Sequence, residues 1–176
     1  MKKTSALFTL VLLVAASFFG CEKDDICAEG TLTTPSILIE FYDRDNTTVP
    51  KAATNFGYFV EGMDTIKITG NATEIRLPLR VDTTSVKWGL ILSTPVTGQD
   101  PILNTDFLEF DYTTQQLYVS RACGYKTNFF LTQGTDSAPN PLLTDSPDES
   151  ELWIQEITVD KTNIEDENEA HIRIFF

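Results

Sequence analysis

Apolar and polar residues alternate along most of this chain, and the alternation begins at Pro35. Ile37, Ile39 and Phe41 take every second position, and Asp43-Arg44-Asp45-Asn46 ends the run with turn-forming side chains. Phe56, Tyr58 and Val60 form a second run ended by Gly62. Ile66 and Ile68 form a third, with Gly70-Asn71 placed for a tight hairpin turn into the fourth. The fourth run is the most regular. Ile75, Leu77, Leu79 and Val81 alternate with Glu74, Arg76, Pro78, Arg80 and Asp82, a period of two that predicts one buried face and one wet face. Pro78 has no N–H to give to a ladder, which assigns this strand to a sheet edge. Arg76 and Arg80 share its wet face, where acids from neighbouring strands are expected to neutralise them.

Val86, Trp88, Leu90 and Leu92 predict a fifth strand, and a loop with Pro and Gly follows from Thr94 to Thr105. Leu108, Phe110 and Tyr112 predict a sixth. Leu117–Cys123 and Thr127–Leu131 predict two more, joined by a bend at Gly124-Tyr125. A long loop rich in Asp, Pro and Ser runs from Gln133 to Ser150. Trp153, Ile157 and Val159 then resume the pattern, residues 160–169 have room for one helical turn, and His171–Phe176 alternates to the end. About eight to ten short strands, with no amphipathic helix among them, predict an all-β antiparallel β-sandwich over residues 35–176.

The first 34 residues follow different rules. Lys2 and Lys3 precede an apolar run from Ala6 to Phe19. Those fourteen residues are too few for a helix across a bilayer core, which takes roughly 20. A basic start, a short apolar stretch and a small residue before the cleavage point predict a secretory signal over residues 1–20. Phe18-Phe19-Gly20-Cys21 resembles a bacterial lipobox, in which the cysteine is acylated and becomes the new N-terminus, although the two phenylalanines depart from the usual aliphatic and small residues. The resemblance implies lipidation at Cys21, with residues 21–34 as the tether; plain secretion is the alternative. Lys23-Asp24-Asp25 resembles the export signal that sends lipoproteins of the Bacteroidota to the outer face of the outer membrane. It implies an outer-membrane, lipid-anchored protein at the cell surface, with the periplasmic face as the alternative.

With Cys21 acylated, Cys27 and Cys123 are the remaining thiols, an even pair in an oxidising compartment, and parity predicts a disulfide between them. A zinc site is hard to build from a single histidine, His171, and no CxxC spacing. Thirteen bases face 26 acids, a formal charge of −13. Loss of residues 1–20 removes two bases and no acid, which takes the mature chain to −15. So acidic a body repels phosphate backbones and argues against nucleic acid as a partner, leaving basic protein patches or cations.

Candidate chemistry is sparse. His171 is the available general base, but no Ser-His-Asp spacing surrounds it, so it is expected to be a structural histidine with no catalytic role. Asp160–Glu169 is dense in carboxylates but lacks the ligand spacing and the sixth-position glycine of a calcium-binding EF-hand loop, as does Asp43–Thr48. No metal and no cofactor is expected. Asp64-Thr65-Ile66, Asp82-Thr83-Thr84 and Asp136-Ser137-Ala138 resemble the O-glycosylation sequon of exported Bacteroidota proteins, which makes Thr65, Thr83 and Ser137 candidate acceptors. Ser137 is the best placed, in the long loop.

The Cys21–Cys27 start, the Pro35–Asp43 strand, Ser120-Arg121-Ala122-Cys123-Gly124-Tyr125-Lys126 and the Asn163–Phe176 tail resemble a small family of uncharacterised Bacteroidota lipoproteins. That resemblance implies a compartment and a one-domain architecture, and no chemistry. The expectation is a lipid-anchored envelope protein acting as a non-catalytic binding or assembly module, with an envelope protein as partner. The alternatives are a small envelope hydrolase using His171 and a structural subunit of a larger envelope complex.

Overall fold

The computed structural model describes residues 26–31, 33–147 and 151–176. The signal segment, Cys21 and Lys23-Asp24-Asp25 lie outside the described residues. Among the described residues two compact units are distinguished: residues 26–31 with 118–125, and residues 33–117 with 126–147 and 151–176.

Eleven strands occur among the described residues. They are β1 (Ser36–Tyr42), β2 (Ala53–Val60), β3 (Lys67–Ala72), β4 (Glu74–Pro78), β5 (Ser85–Thr94), β6 (Ile102–Ser120), β7 (Gly124–Leu131), β8 (Leu142–Asp145), β9 (Glu156–Val159), β10 (Asn163–Ile164) and β11 (Ile172–Phe175). One sheet has the order β4-β1-β11-β9 and the other β10-β7-β6-β5-β2-β3, with β8 added on β6. Pairing is antiparallel except between β1 and β11, which run parallel with Ile39 opposite Ile172 and Phe41 opposite Ile174. This is an all-β, sandwich-like fold, and β4, which contains Pro78, lies at the end of its sheet as expected.

The core follows from the alternation. Ile37, Ile39, Phe41, Ile75, Leu77 and Ile174 of the smaller sheet join Phe56, Trp88, Leu90, Leu108, Phe110 and Phe129 of the larger in one buried cluster. Each such side chain contributes about 1.5–3 kcal/mol when fully buried. Phe41 anchors it by edge-on contact with Phe56, ring centroids 5.4 Å apart, and with Phe176 at 6.0 Å. Tyr112 is buried too, and its hydroxyl donates to the Arg80 carbonyl (2.9 Å) while accepting from the Arg80 N–H (3.1 Å).

Several local expectations are corrected. Gly70-Asn71 lies inside β3, with Gly70 at φ 74°; the chain passes on through Thr73 to the other sheet, because β4 pairs with β1. Val81 lies beyond β4 and is exposed, since β1 offers no partner past Pro78. The loop after β5 is confined to residues 95–101, because Thr94 already pairs with Ile102. Leu108–Tyr112 and Leu117–Ser120 belong to one strand, β6, and the turn before β7 is at residues 121–123. The polar loop contains β8, which pairs with Asp106–Glu109 of β6. Trp153 is buried outside any strand, where its Nε1 donates to the Leu90 carbonyl (3.1 Å). Residues 160–169, which had room for one helical turn, contain β10.

Candidate functional site

A groove on the larger sheet is the best-formed site. Asn55 takes a left-handed conformation (φ 50°), which asparagine tolerates better than most side chains. The β2–β3 register shifts on either side of Phe56, which faces Gly70, so the two strands bulge here. Gly57 then lies opposite Ile68, and a methyl at Gly57 would come within 3.4 Å of both the Ile66 side chain and the Lys67 carbonyl. Ile66 and Ile68 on one side, and Ile91, Pro101 and Leu103 on the other, enclose an apolar cavity of about 350 Å³. Ile68 is 80% exposed, and Ile66 and Leu103 are also exposed.

The groove borders a sheet edge, because β3 is the last strand of its order among the described residues. Such an edge offers main-chain donors and acceptors to an added strand, while an adjacent pocket selects its side chains. The lining has no ionisable residue, so the arrangement suits binding and leaves proton transfer without a donor. Sequence reasoning found Ile66 and Ile68 as a strand and missed the groove; the signal was two bulky aliphatics beside Lys67 and Gly70.

His171 lies 1% exposed just before β11. Its backbone N–H donates to the Leu38 carbonyl (2.9 Å), and its Nδ1 accepts from the Leu38 N–H (3.0 Å). Burial lowers its pKa from 6.5; Asp166 and Glu167 act against that, and Lys161 adds to it. The ring borders a polar cavity of about 350 Å³ that Asp160, Lys161, Thr162, Glu165 and Asp166 also line. The hydroxyl there, Thr162 Oγ1, is directed at Asn163 Oδ1 (3.5 Å).

The acidic segment is engaged in structural contacts. Asp160 takes a two-pronged bond from Arg173 (both 2.6 Å), and Glu167 accepts from the Ser36 N–H (2.7 Å) and from Arg76 (3.0 Å). Glu165 accepts from Asn128 (3.0 Å), and Glu169 pairs with Lys161. Among the described residues, no group of three or more His, Cys, Asp or Glu side chains is arranged to hold a metal ion. Arg76 also pairs with Glu74, so it meets one acid of its own stretch and one, Glu167, from a distant stretch, whereas Arg80 pairs with Asp82 of its own stretch. Thr65 and Ser137 are exposed, whereas Thr83 is half-buried with its hydroxyl donating to the Ser85 carbonyl (2.9 Å). Cys27 and Cys123 form a disulfide, Cα atoms 4.9 Å apart, in the unit that contains the turn at residues 121–123.

Fold and groove together define an all-β, sandwich-like protein with an apolar groove beside a sheet edge. Residues 52–176 match the Family of unknown function (DUF6452). The chain belongs to that family, whose description assigns no activity. No curated protein and no solved structure matches the chain.

Proposed function

We propose that this chain is a lipid-anchored cell-envelope protein of the Bacteroidota that binds an extended segment of an envelope protein partner and performs no catalysis. Cys21 carries the lipid, and Lys23-Asp24-Asp25 directs the protein to the outer membrane and the cell surface. The observation that carries the binding role is the apolar groove beside the β3 edge. The whole chain carries −13, which favours a basic partner, although Lys67 of β3 lies beside the groove. The partner strand would extend the sheet and place an aliphatic side chain in the groove. Hydrolysis through His171 is disfavoured, because Nδ1 is committed to Leu38 and burial opposes protonation.

A photo-reactive residue at position 68 in intact cells tests this. The expected result is a discrete covalent adduct with an envelope protein, whose co-isolation is lost with Ile68→Asp or Leu103→Asp. Unchanged co-isolation with both folded variants would refute the reading.

A further inference from the structure

The turn at residues 121–123 carries a second surface. Tyr118 and Tyr125 are 60% and 67% exposed, and their rings pack edge-on with centroids 5.4 Å apart. Ile26, in the same unit, is 82% exposed. The Cys27–Cys123 disulfide joins the residue after Ile26 to the turn between the two tyrosines. We propose that Ile26, Tyr118 and Tyr125, with Arg121, form a footprint on the membrane interface.

Three independent features select a lipid surface as the occupant. The first is reach. Six residue steps separate Cys27 from Cys21, about 20 Å even when fully extended at 3.3–3.6 Å per residue, so the disulfide confines the turn near an acylated Cys21. The second is chemistry. Tyrosine rings with an apolar body and a polar tip concentrate at bilayer interfaces, and an arginine stem can lie along apolar surface with its head among phosphates. The third is charge. Residues 118–125 around the turn carry one base, Arg121, and no acid in a chain of −13, while the tether's Glu22, Asp24 and Asp25 precede Ile26. Anionic headgroups that repel the acidic body do not repel the turn. The inference rests on lipidation of Cys21 as proposed above.

The test uses the full-length lipidated protein reconstituted into phosphatidylethanolamine–phosphatidylglycerol vesicles with acyl chains brominated near the headgroup. Tyr125→Trp, and separately Tyr118→Trp, report contact through bromine quenching; the native Trp88 and Trp153 are buried and supply the baseline. The expected result is quenching of the introduced tryptophan beyond that baseline, and its decline when the disulfide is reduced. Vesicles that float with the protein yet leave both tryptophans unquenched overturn the footprint and leave the anchor standing. Parent protein that does not float overturns the anchor, and the footprint with it.

Discussion

His171 gives the most direct test of how the first and last strands are held together. The side chain works as a neutral base: Nδ1 accepts the Leu38 N–H, and the ring is 1% exposed. Truncation to alanine leaves that buried amide without an acceptor, at about 1–3 kcal/mol. The vacated ring space adds roughly 2 kcal/mol. The sum, about 3–5 kcal/mol, is a large share of the 5–15 kcal/mol that holds a typical domain folded. His171→Phe fills the ring space but removes the acceptor and the bond to the Asp166 backbone, and should cost at least about 1–3 kcal/mol. The pH dependence has a definite sign. Burial lowers the folded pKa below the unfolded 6.5, so on acidification the unfolded chain takes up the proton first. The histidine's contribution is therefore complete above the unfolded value and is lost as pH falls from there toward the folded one. Asp166 and Glu167 narrow that window by favouring the charged ring, and Lys161 widens it. Urea unfolding between about pH 8 and about pH 5 should show the gap between parent and His171→Ala shrinking in acid. A gap that stays constant across this range, or a His171→Phe variant as stable as the parent, would refute the assignment.

Two further outcomes follow from the backbone. Replacing Cys27 and Cys123 with serine opens a loop of sequence separation 96 and should cost up to about 4.7 kcal/mol in urea unfolding; two reactive thiols in the native, non-reduced protein would contradict the bond itself. Gly134→Ala would put a methyl 2.5 Å from the Asn140 backbone nitrogen, so a loss of about 1–3 kcal/mol is expected, and an unchanged melting temperature would show that the loop yields.

The strands that could be read from sequence are those whose burial is one-sided. In β4 the apolar set faces inward and the polar set outward, and Ile75 and Leu77 meet Ile39 and Ile37 of β1, whose other face buries Leu38 as well. Pro78 marked the edge because a missing N–H is a local property. What could not be read depends on partners. β6 crosses Thr113-Thr114-Gln115-Gln116, which contains no hydrophobic alternation but also no Gly or Pro, so the strand continues as long as neighbours pair with it. β8 and β10 are too short for any period to register; Ile164 is a strand residue because Phe129 lies opposite. Gly70 illustrates the reverse. Its positive φ was legible as a turn signal, but β2 supplied a partner on both sides of it, and the glycine became part of a bulge.

The groove was out of reach for the same reason: it is assembled from four strands and two flanking loop residues whose register no single stretch encodes. Ile66, Ile91 and Leu103 acquire a common function only once β2 and β5 lie between β3 and β6. The resulting surface also constrains interpretation. An exposed edge strand bearing bulky aliphatics invites unwanted pairing, and folded proteins usually blunt such edges with a lysine, a bulge or a short length. All three devices are present here, in Lys67, the Phe56–Gly70 bulge and a β3 of six residues, yet Ile68 is left 80% exposed beside the cavity. A serine or threonine at position 68 would protect the edge better and would still permit the strand. An exposed isoleucine there is what the proposed partner strand would cover, and so the position 68 crosslink tests the proposed function and not merely the fold.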